Sequence, residues 1–295
     1  MTAASWDITR ALPSEPIMRI SEFDAFVEGL DHPEGVATGP DGTLYAGGEA
    51  GQVYRVTLDG SFEEIGSTGG FNLGLCLDAA SNAYVCDNGS HTVKRVAPNG
   101  EVTTYTSGAP DRPLKTPNYP VFDTAGNLYV SDSGDWHRNN GCVFRVNSQG
   151  ETAVFTTAVS AFPNGMALHP SGDALFVVAS QTSSVERVEI RSDGTAGNVQ
   201  RVVELPHNVP DGVAFDEAGN LFICCYSPDV IYRMTARGEL SVLAADWERT
   251  VLAAPTNITF CGPDRKTLVV GSLGRWHLAK ATMPIAGAPL NFPSL

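Results

Sequence analysis

Short apolar runs separated by polar turns dominate the chain, and they come in two kinds. Runs such as Leu44-Tyr45-Ala46, Leu128-Tyr129-Val130, Leu175-Phe176-Val177 and Leu268-Val269-Val270 are nearly continuous, as expected for strands buried on both faces. Others, such as Val53-Tyr54-Arg55-Val56, Val143-Phe144-Arg145-Val146 and Ile231-Tyr232-Arg233-Met234, alternate apolar with polar and carry an Arg at the same step. These read as outer strands with one face towards solvent or a neighbouring sheet. Turn signals rich in Gly, Asn and Asp, among them Pro40-Asp41-Gly42, Ala125-Gly126-Asn127 and Ala218-Gly219-Asn220, precede the continuous runs and supply the positive φ of tight hairpins. Helical periodicity is nearly absent. The best candidate, residues 246–253, allows one or two turns.

The whole pattern recurs. Repeats open near Glu34, Leu73, Asn118, Asn164, Asp211 and Asn257, at intervals of 39, 45, 46, 47 and 46 residues, the length of one four-stranded propeller blade. The expected fold class is therefore all-β: a single six-bladed β-propeller over residues 1–295, with four antiparallel strands per blade. After residues 276–283 the sixth repeat has too little chain for a fourth strand. An N-terminal strand at about residues 18–28 is expected to complete that last blade, so that both chain ends close the ring and no open edge remains. Residues 1–16 and 284–295, rich in Pro and Ala, read as wrapping coil.

Bulk properties narrow the partners. A formal net charge of −14 argues against nucleic acid and anionic membrane surfaces. No apolar run long enough for a spanning helix exists, and residues 1–16 show no basic segment followed by an apolar one. A cytoplasmic protein is expected. The six cysteines lack metal-type spacing and sit mostly inside apolar runs, so reduced, buried thiols are expected. Oligomeric state is left open.

Position-equivalent residues of a propeller converge on its axis. In each blade the first strand is innermost, so the six repeat-opening residues should ring one mouth of the central channel. Glu34, Asn118, Asn164 and Asp211 offer hard oxygen atoms there, with no sulfur or imidazole. The set suits one divalent cation, Ca²⁺ first and Mg²⁺ or Mn²⁺ next, with Zn²⁺ or Fe²⁺ fitting less well. Two carboxylates would offset its charge, and positions would remain for water and substrate, the arrangement of Lewis-acid hydrolysis. Asn, Asp and Gly before a strand are also ordinary turn residues; it is four oxygen donors in register that points to a site.

Pro33-Glu34-Gly35, Pro163-Asn164-Gly165 and Pro210-Asp211-Gly212, each opening a repeat, resemble the senescence-marker-protein-30/gluconolactonase/luciferin-regenerating-enzyme-like family of metal-dependent lactonases over roughly residues 20–283. The resemblance implies that Glu34, Asn164 and Asp211 bind one divalent metal, with Asn118 near metal or substrate, and that the chain opens a lactone by attack of water. Asp211 is then the implied general base, with metal-bound hydroxide as the alternative, because a carboxylate on a cation is a weak base. A similar Glu/Asn/Asn/Asp set surrounds calcium in the squid diisopropyl-fluorophosphatase type. Two contacts of the animal lactonases differ here. Thr116 stands where they carry a sugar-binding Arg, and Trp136 near an acidic contact, so polyol recognition by those groups is not expected.

Specificity is expected from loops on the same face. Trp136 and His137 form either an apolar wall with one polar contact or a surface loop that touches no ligand. Tyr226 starts the matching loop of the fifth repeat, Asn257 is a polar neighbour in the ring, and Leu73 makes one side of it apolar, which fits a small lactone or ester less polar than a free sugar-acid lactone. His32 is a turn residue or a buttress of Glu34, and His169 is structural. Competing readings are a phosphotriester hydrolase on the same metal site, and a non-catalytic propeller that holds metal and binds a ligand. A metal-free strictosidine-synthase-type enzyme shares the blade pattern, but the Glu34/Asn164/Asp211 set argues against it.

Overall fold

In the computed structural model residues 15–295 are described; the coil expected at the N-terminus falls largely on residues 1–14, outside them. Six four-stranded antiparallel sheets form a six-bladed β-propeller, as the repeat predicts. The inner strands are Val36–Thr38, Asn72–Leu77, Pro117–Phe122, Pro163–Leu168, Val209–Phe215 and Pro255–Cys261. Each packs against the inner strands of its two neighbours, the sixth against the first included. In five blades the four strands follow one another in sequence. The sixth takes Asp24–Phe26 as its outer strand, paired antiparallel with Leu278–Thr282. That strand is shorter than residues 18–28, because Ile17 and Met18 donate their N–H groups to Val242 and Leu243 of the fifth blade instead.

The burial pattern follows from the stacking of blades. A blade's second strand lies between two neighbouring sheets, so every residue of Leu44–Gly47, Ala83–Asp87, Leu128–Asp132 and Ala174–Ala179 is buried. This is why those runs read as continuously apolar. The core is divided to match: one apolar cluster fills each of the six interfaces between neighbouring blades. Three of the repeated third-strand arginines reach nearby acids or amides: Arg55 to Glu63, Arg145 to Asn127 Oδ1 at 2.8 Å and Arg187 to Asp173 at 3.0 Å. All six cysteines are unpaired, five of them buried. No helix among the described residues is long and apolar enough to cross a membrane.

Residues 246–253 form no helix. The Asp246 carboxylate instead collects the N–H groups of Arg249, Thr250, Val251 and Leu252 and folds the segment as a loop around itself. A small hairpin that the repeat pattern does not announce, Gly108–Ala109 with Arg112–Pro113, occupies the long lead-in to the third blade.

The two mouths of the channel differ. At the far mouth, where hairpins join inner to second strands, the C-terminal segment crosses the opening: Asp216 bridges Gly287, Ala288 donates to Phe215 O, and Asn291 Nδ2 donates to Phe122 O at 3.0 Å. Beneath it lies an axial cavity of about 190 Å³ lined by residues such as Leu75, Tyr119, Met166 and Val213. The near mouth carries the repeat-opening residues. Closing so narrow a ring requires backbone to meet backbone. A Cβ at Gly35 would lie 2.1 Å from Leu73 O, and one at Gly165 2.5 Å from Asp211 O. At Gly35 and Gly165 glycine is therefore required by the close approach of the neighbouring blade's backbone and not only by turn geometry.

Gly165→Ala should accordingly destabilise the protein by roughly 1–3 kcal/mol, because the obstructing atoms are backbone and cannot rotate away. Denaturant unfolding checks this, with a lowered midpoint at constant slope expected; an unchanged midpoint would contradict the close-packed ring.

Candidate metal centre

Three of the four oxygen donors of the near mouth are presented by a break in their own sheet, and Glu34 stands just ahead of its inner strand. Pairing between inner and second strands skips at Pro117/Tyr119, Pro163/Met166 and Pro210/Val213. A proline at the break has no N–H for the ladder, and the irregularity releases the next side chain from the sheet's alternation. Asn118, Asn164 and Asp211 are those next residues, and Glu34 holds the matching step of the first blade. All four are at most 6% exposed. Leu73 holds the same step in the second blade and is buried.

The sixth blade departs from the expected register. Ile258 pairs with Val270, as Val213 pairs with Ile223, so the residue in step with Asp211 is Thr256, and Asn257 lies one position further on. The skip between Pro255 and Ile258 matches those at Pro163/Met166 and Pro210/Val213, so Pro255-Thr256 is in step with Pro163-Asn164 and Pro210-Asp211. Thr256 Oγ1 donates to Glu34 O at 2.8 Å and Asn257 Nδ2 to the same oxygen at 3.2 Å. Together they fasten the sixth blade to the first exactly beneath Glu34.

The electrostatics of the ring are unusual. Glu34 and Asp211 are buried carboxyls with no ion pair among the described residues. Burial, then the neighbouring Asp211 charge, then Glu49, hold the Glu34 carboxyl well above its ordinary range. Burial pushes Asp211 up to about 7, with the Asn164 amide opposing. The Tyr226 phenol, at the end of the fifth blade's second strand, is raised by burial and by the charges of Asp211 and Glu34. Among the described residues, eight buried side-chain N or O atoms lack any hydrogen-bond partner, and four of them belong here: Asn118 Oδ1, Asn164 Oδ1, Asp211 Oδ1 and Asn257 Oδ1. Every one is an acceptor. Buried acceptors beside uncompensated carboxylates form a site short of positive charge, and hard oxygen donors of this type fit a hard divalent cation. Glu34, Asn118, Asn164 and Asp211 are the residues that could hold it.

The rim is partly aromatic. Trp136, 41% exposed, packs edge-on against Phe162 at 4.7 Å, and His137 lies 5.5 Å from its ring. Phe162 stands two residues before Asn164, so the Trp136–Phe162 pair is tied to the approach to the fourth-blade donor, and His137 is exposed. Phe162 carried no signal beyond its place before Pro163-Asn164. Thr116 gives its hydroxyl proton to Gly134 O at 2.9 Å. His32 turns its Nδ1 to Asp31 at 3.2 Å and Glu49 at 3.0 Å rather than to Glu34, forming a separate, more exposed acidic cluster. His169 stacks on Phe176 and meets Phe215 edge-on at 5.3 Å, a structural role.

Comparison with known proteins agrees with this reading of the fold. A sequence profile of the SMP-30/gluconolactonase/LRE-like region matches residues 49–274, and one of the strictosidine synthase-like N-terminal region matches residues 27–56. Lactonase drp35 of Staphylococcus haemolyticus is 26% identical over 123 residues, 40% of this chain and 38% of that protein. Protein strictosidine synthase-like 3 of Arabidopsis thaliana is 22% identical over 167 residues, 52% of this chain and 42% of that protein. The chain thus spans about two fifths of the length of the curated relatives it matches. Among solved structures, a gluconolactonase from Xanthomonas campestris superposes with a TM-score of 0.76 at 20% identity, covering 88% of this chain and 90% of the other. Regucalcin, a calcium-binding protein from Agrobacterium tumefaciens, superposes with a TM-score of 0.77 at 15% identity, covering 92% and 97%.

The raised carboxyls have a consequence for stability. The folded, metal-free protein binds these protons more tightly than the unfolded chain. Their contribution is therefore fully present below about pH 4 and is lost as pH rises through the Asp211 value of about 7. Asp211→Asn removes one of the two repelling charges. At pH 8 without metal, the variant should melt roughly 2–6 °C above the wild type, with the advantage gone at pH 5. Thermal unfolding in chelator checks this; equal melting temperatures at pH 8 would contradict the repulsion.

Proposed function

This chain belongs to the SMP-30/gluconolactonase/LRE-like family, and on that basis we propose that it is a divalent-metal-dependent lactonase, a carboxylic ester hydrolase that opens a cyclic ester with water. The observation that carries the proposal is the ring itself: two buried carboxyls without a counter-charge, flanked by Asn118 and Asn164 oxygens that no group of the protein satisfies. Glu34, Asn164 and Asp211 would hold the cation, with Asn118 beside it, and calcium suits the donor set best. When bound, the cation supplies Lewis-acid polarisation of the lactone carbonyl.

The chain's own residues do the rest. Glu34 and Asp211 give the site its negative charge, and the inner strands fix their positions. In this reading Asp211 takes a proton from water as the water oxygen bonds to the carbonyl carbon. The ring C–O bond then breaks, and that proton is returned to the departing ring oxygen, leaving a hydroxy acid. Asn118 would stand near the cation or the substrate. Leu73 and the Trp136–Phe162 pair offer an apolar wall, and the Thr116 hydroxyl is already engaged within the protein. Both features support a substrate with an alkyl or aryl substituent over a polyol. Tyr226 and Asn257 would supply further substrate contacts.

Proton release from a panel of five- and six-membered lactones, with one phosphotriester included, tests this. Hydrolysis of alkyl-substituted lactones should stop in chelator and return with calcium, and Asp211→Ala should lower kcat/KM by about 10²-fold or more. Full activity in chelator or in the variant would overturn the mechanism, and no lactone turnover at all would favour a binding protein.

A further inference from the structure

Asn164 poses a problem that Glu34 and Asp211 do not. A carboxylate shows oxygen to a cation whichever way it turns, whereas an amide shows oxygen in one orientation and a repelling N–H₂ group in the other. We propose that Ser180 is the positioning residue that settles this orientation and, through the same hydroxyl, ties Asn164 to the strand bearing Asp211. The inference rests on the metal-site reading above and extends it to a residue outside the ring.

The hydrogen bonds leave little freedom. Ser180 is 2% exposed and begins the 3₁₀ turn Ser180–Thr182 that follows the second strand of the fourth blade. Its backbone N–H donates to Phe162 O at 3.2 Å, which holds the turn against the approach to Asn164. Its hydroxyl lies 2.7 Å from Pro210 O, the carbonyl immediately before Asp211. That carbonyl can only accept, so the single hydroxyl proton is directed to it. Ser180 Oγ is then left as an acceptor, and the group it faces, 3.1 Å away, must be a donor: Asn164 Nδ2. Asn164 Oδ1 is thereby directed away from Ser180, into the position where it has no partner in the protein. The opposite orientation would set oxygen against oxygen and leave a buried carbonyl unpaired, the costly case for a buried polar group. One hydroxyl thus fixes one prospective ligand by its side chain and the strand of another by its backbone.

The third blade supplies an internal control. Ser133 holds the equivalent step, and its hydroxyl donates to Pro163 O at 2.8 Å, the carbonyl before Asn164. It makes the same blade-to-blade tie but orients no ring amide among the described residues. Were these serines only fasteners between blades, their removal would have equal effects on the metal.

The test is calcium binding measured by calorimetry on the metal-free protein, which needs no substrate. Ser180→Ala should weaken calcium binding by about 10–100-fold, the usual cost of losing a group that orients a metal ligand. Ser133→Ala should weaken it by less than about 3-fold, while thermal unfolding in chelator shows the two variants similarly stable. Asn164→Asp sharpens the comparison, because a carboxylate needs no orienting. In that background Ser180→Ala should also cost less than about 3-fold, a coupling that a purely structural role would not produce. Ser180→Cys, which keeps the bulk with a weak acceptor, carries the same comparison should Ser180→Ala not fold. Wild-type binding with an unaltered Ser180→Ala affinity, or an equal loss in both backgrounds, would overturn the role of Ser180 alone. Absence of calcium binding by the wild type would overturn the metal site and this inference together.

Discussion

Two carboxyls buried together without a cation are the constraint around which the near mouth is built. Glu34 and Asp211 stand on blades far apart in sequence, and the ring closure that stabilises the propeller also forces them towards one another. Their raised proton affinities express that conflict. A protein selected for stability alone would place apolar side chains at these steps, as Leu73 shows is possible at the same step of the second blade. Keeping the charges implies a function that uses them. Three satisfied hydrogen bonds nearby, from Thr256, Asn257 and Ser180, all end on backbone carbonyls and leave the acceptor oxygens of the ring exposed to the axis.

The architecture makes that arrangement durable. Each blade interface has its own apolar cluster, and the four oxygen donors Glu34, Asn118, Asn164 and Asp211 belong to none of them. The C-terminal segment crosses the far mouth, away from the oxygen donors. Buried carboxylates of the connecting loops, Asp132 holding Lys115 and Thr116 and Asp246 holding the 249–252 segment, shape the rim by taking backbone N–H groups rather than by forming helices. Substrate preference can then vary through rim residues such as Trp136 and Phe162 while the ring stays constant.

Much of this was legible from spacing. Equal intervals identify blades, and the blade geometry turns a repeat position into a place on the axis; Glu34, Asn118, Asn164 and Asp211 follow at once. What escaped was local. Asn257 stands one step off because Asn-Ile mimics the Asn-Gly and Asp-Gly of other repeats, whereas the pair in step with Pro163-Asn164 and Pro210-Asp211 is Pro255-Thr256. The Gly108–Ala109 hairpin is too short to carry periodicity. Ser180 reads as any serine after a strand, since its importance lies in two hydrogen bonds to residues 16 and 30 positions away. The turn residue His32 shows the converse: next to the motif in sequence, it faces a different acidic cluster in space.

The central claim is that one hard cation sits on the propeller axis between the first, fourth and fifth blades. Crystals grown with manganese in place of calcium, measured at the manganese absorption edge, test it without reference to catalysis. The account predicts a single strong anomalous peak about 2.0–2.5 Å from oxygens of Glu34, Asn164 and Asp211. A ring without such a peak, or a peak only at Asp31, His32 and Glu49, would contradict it.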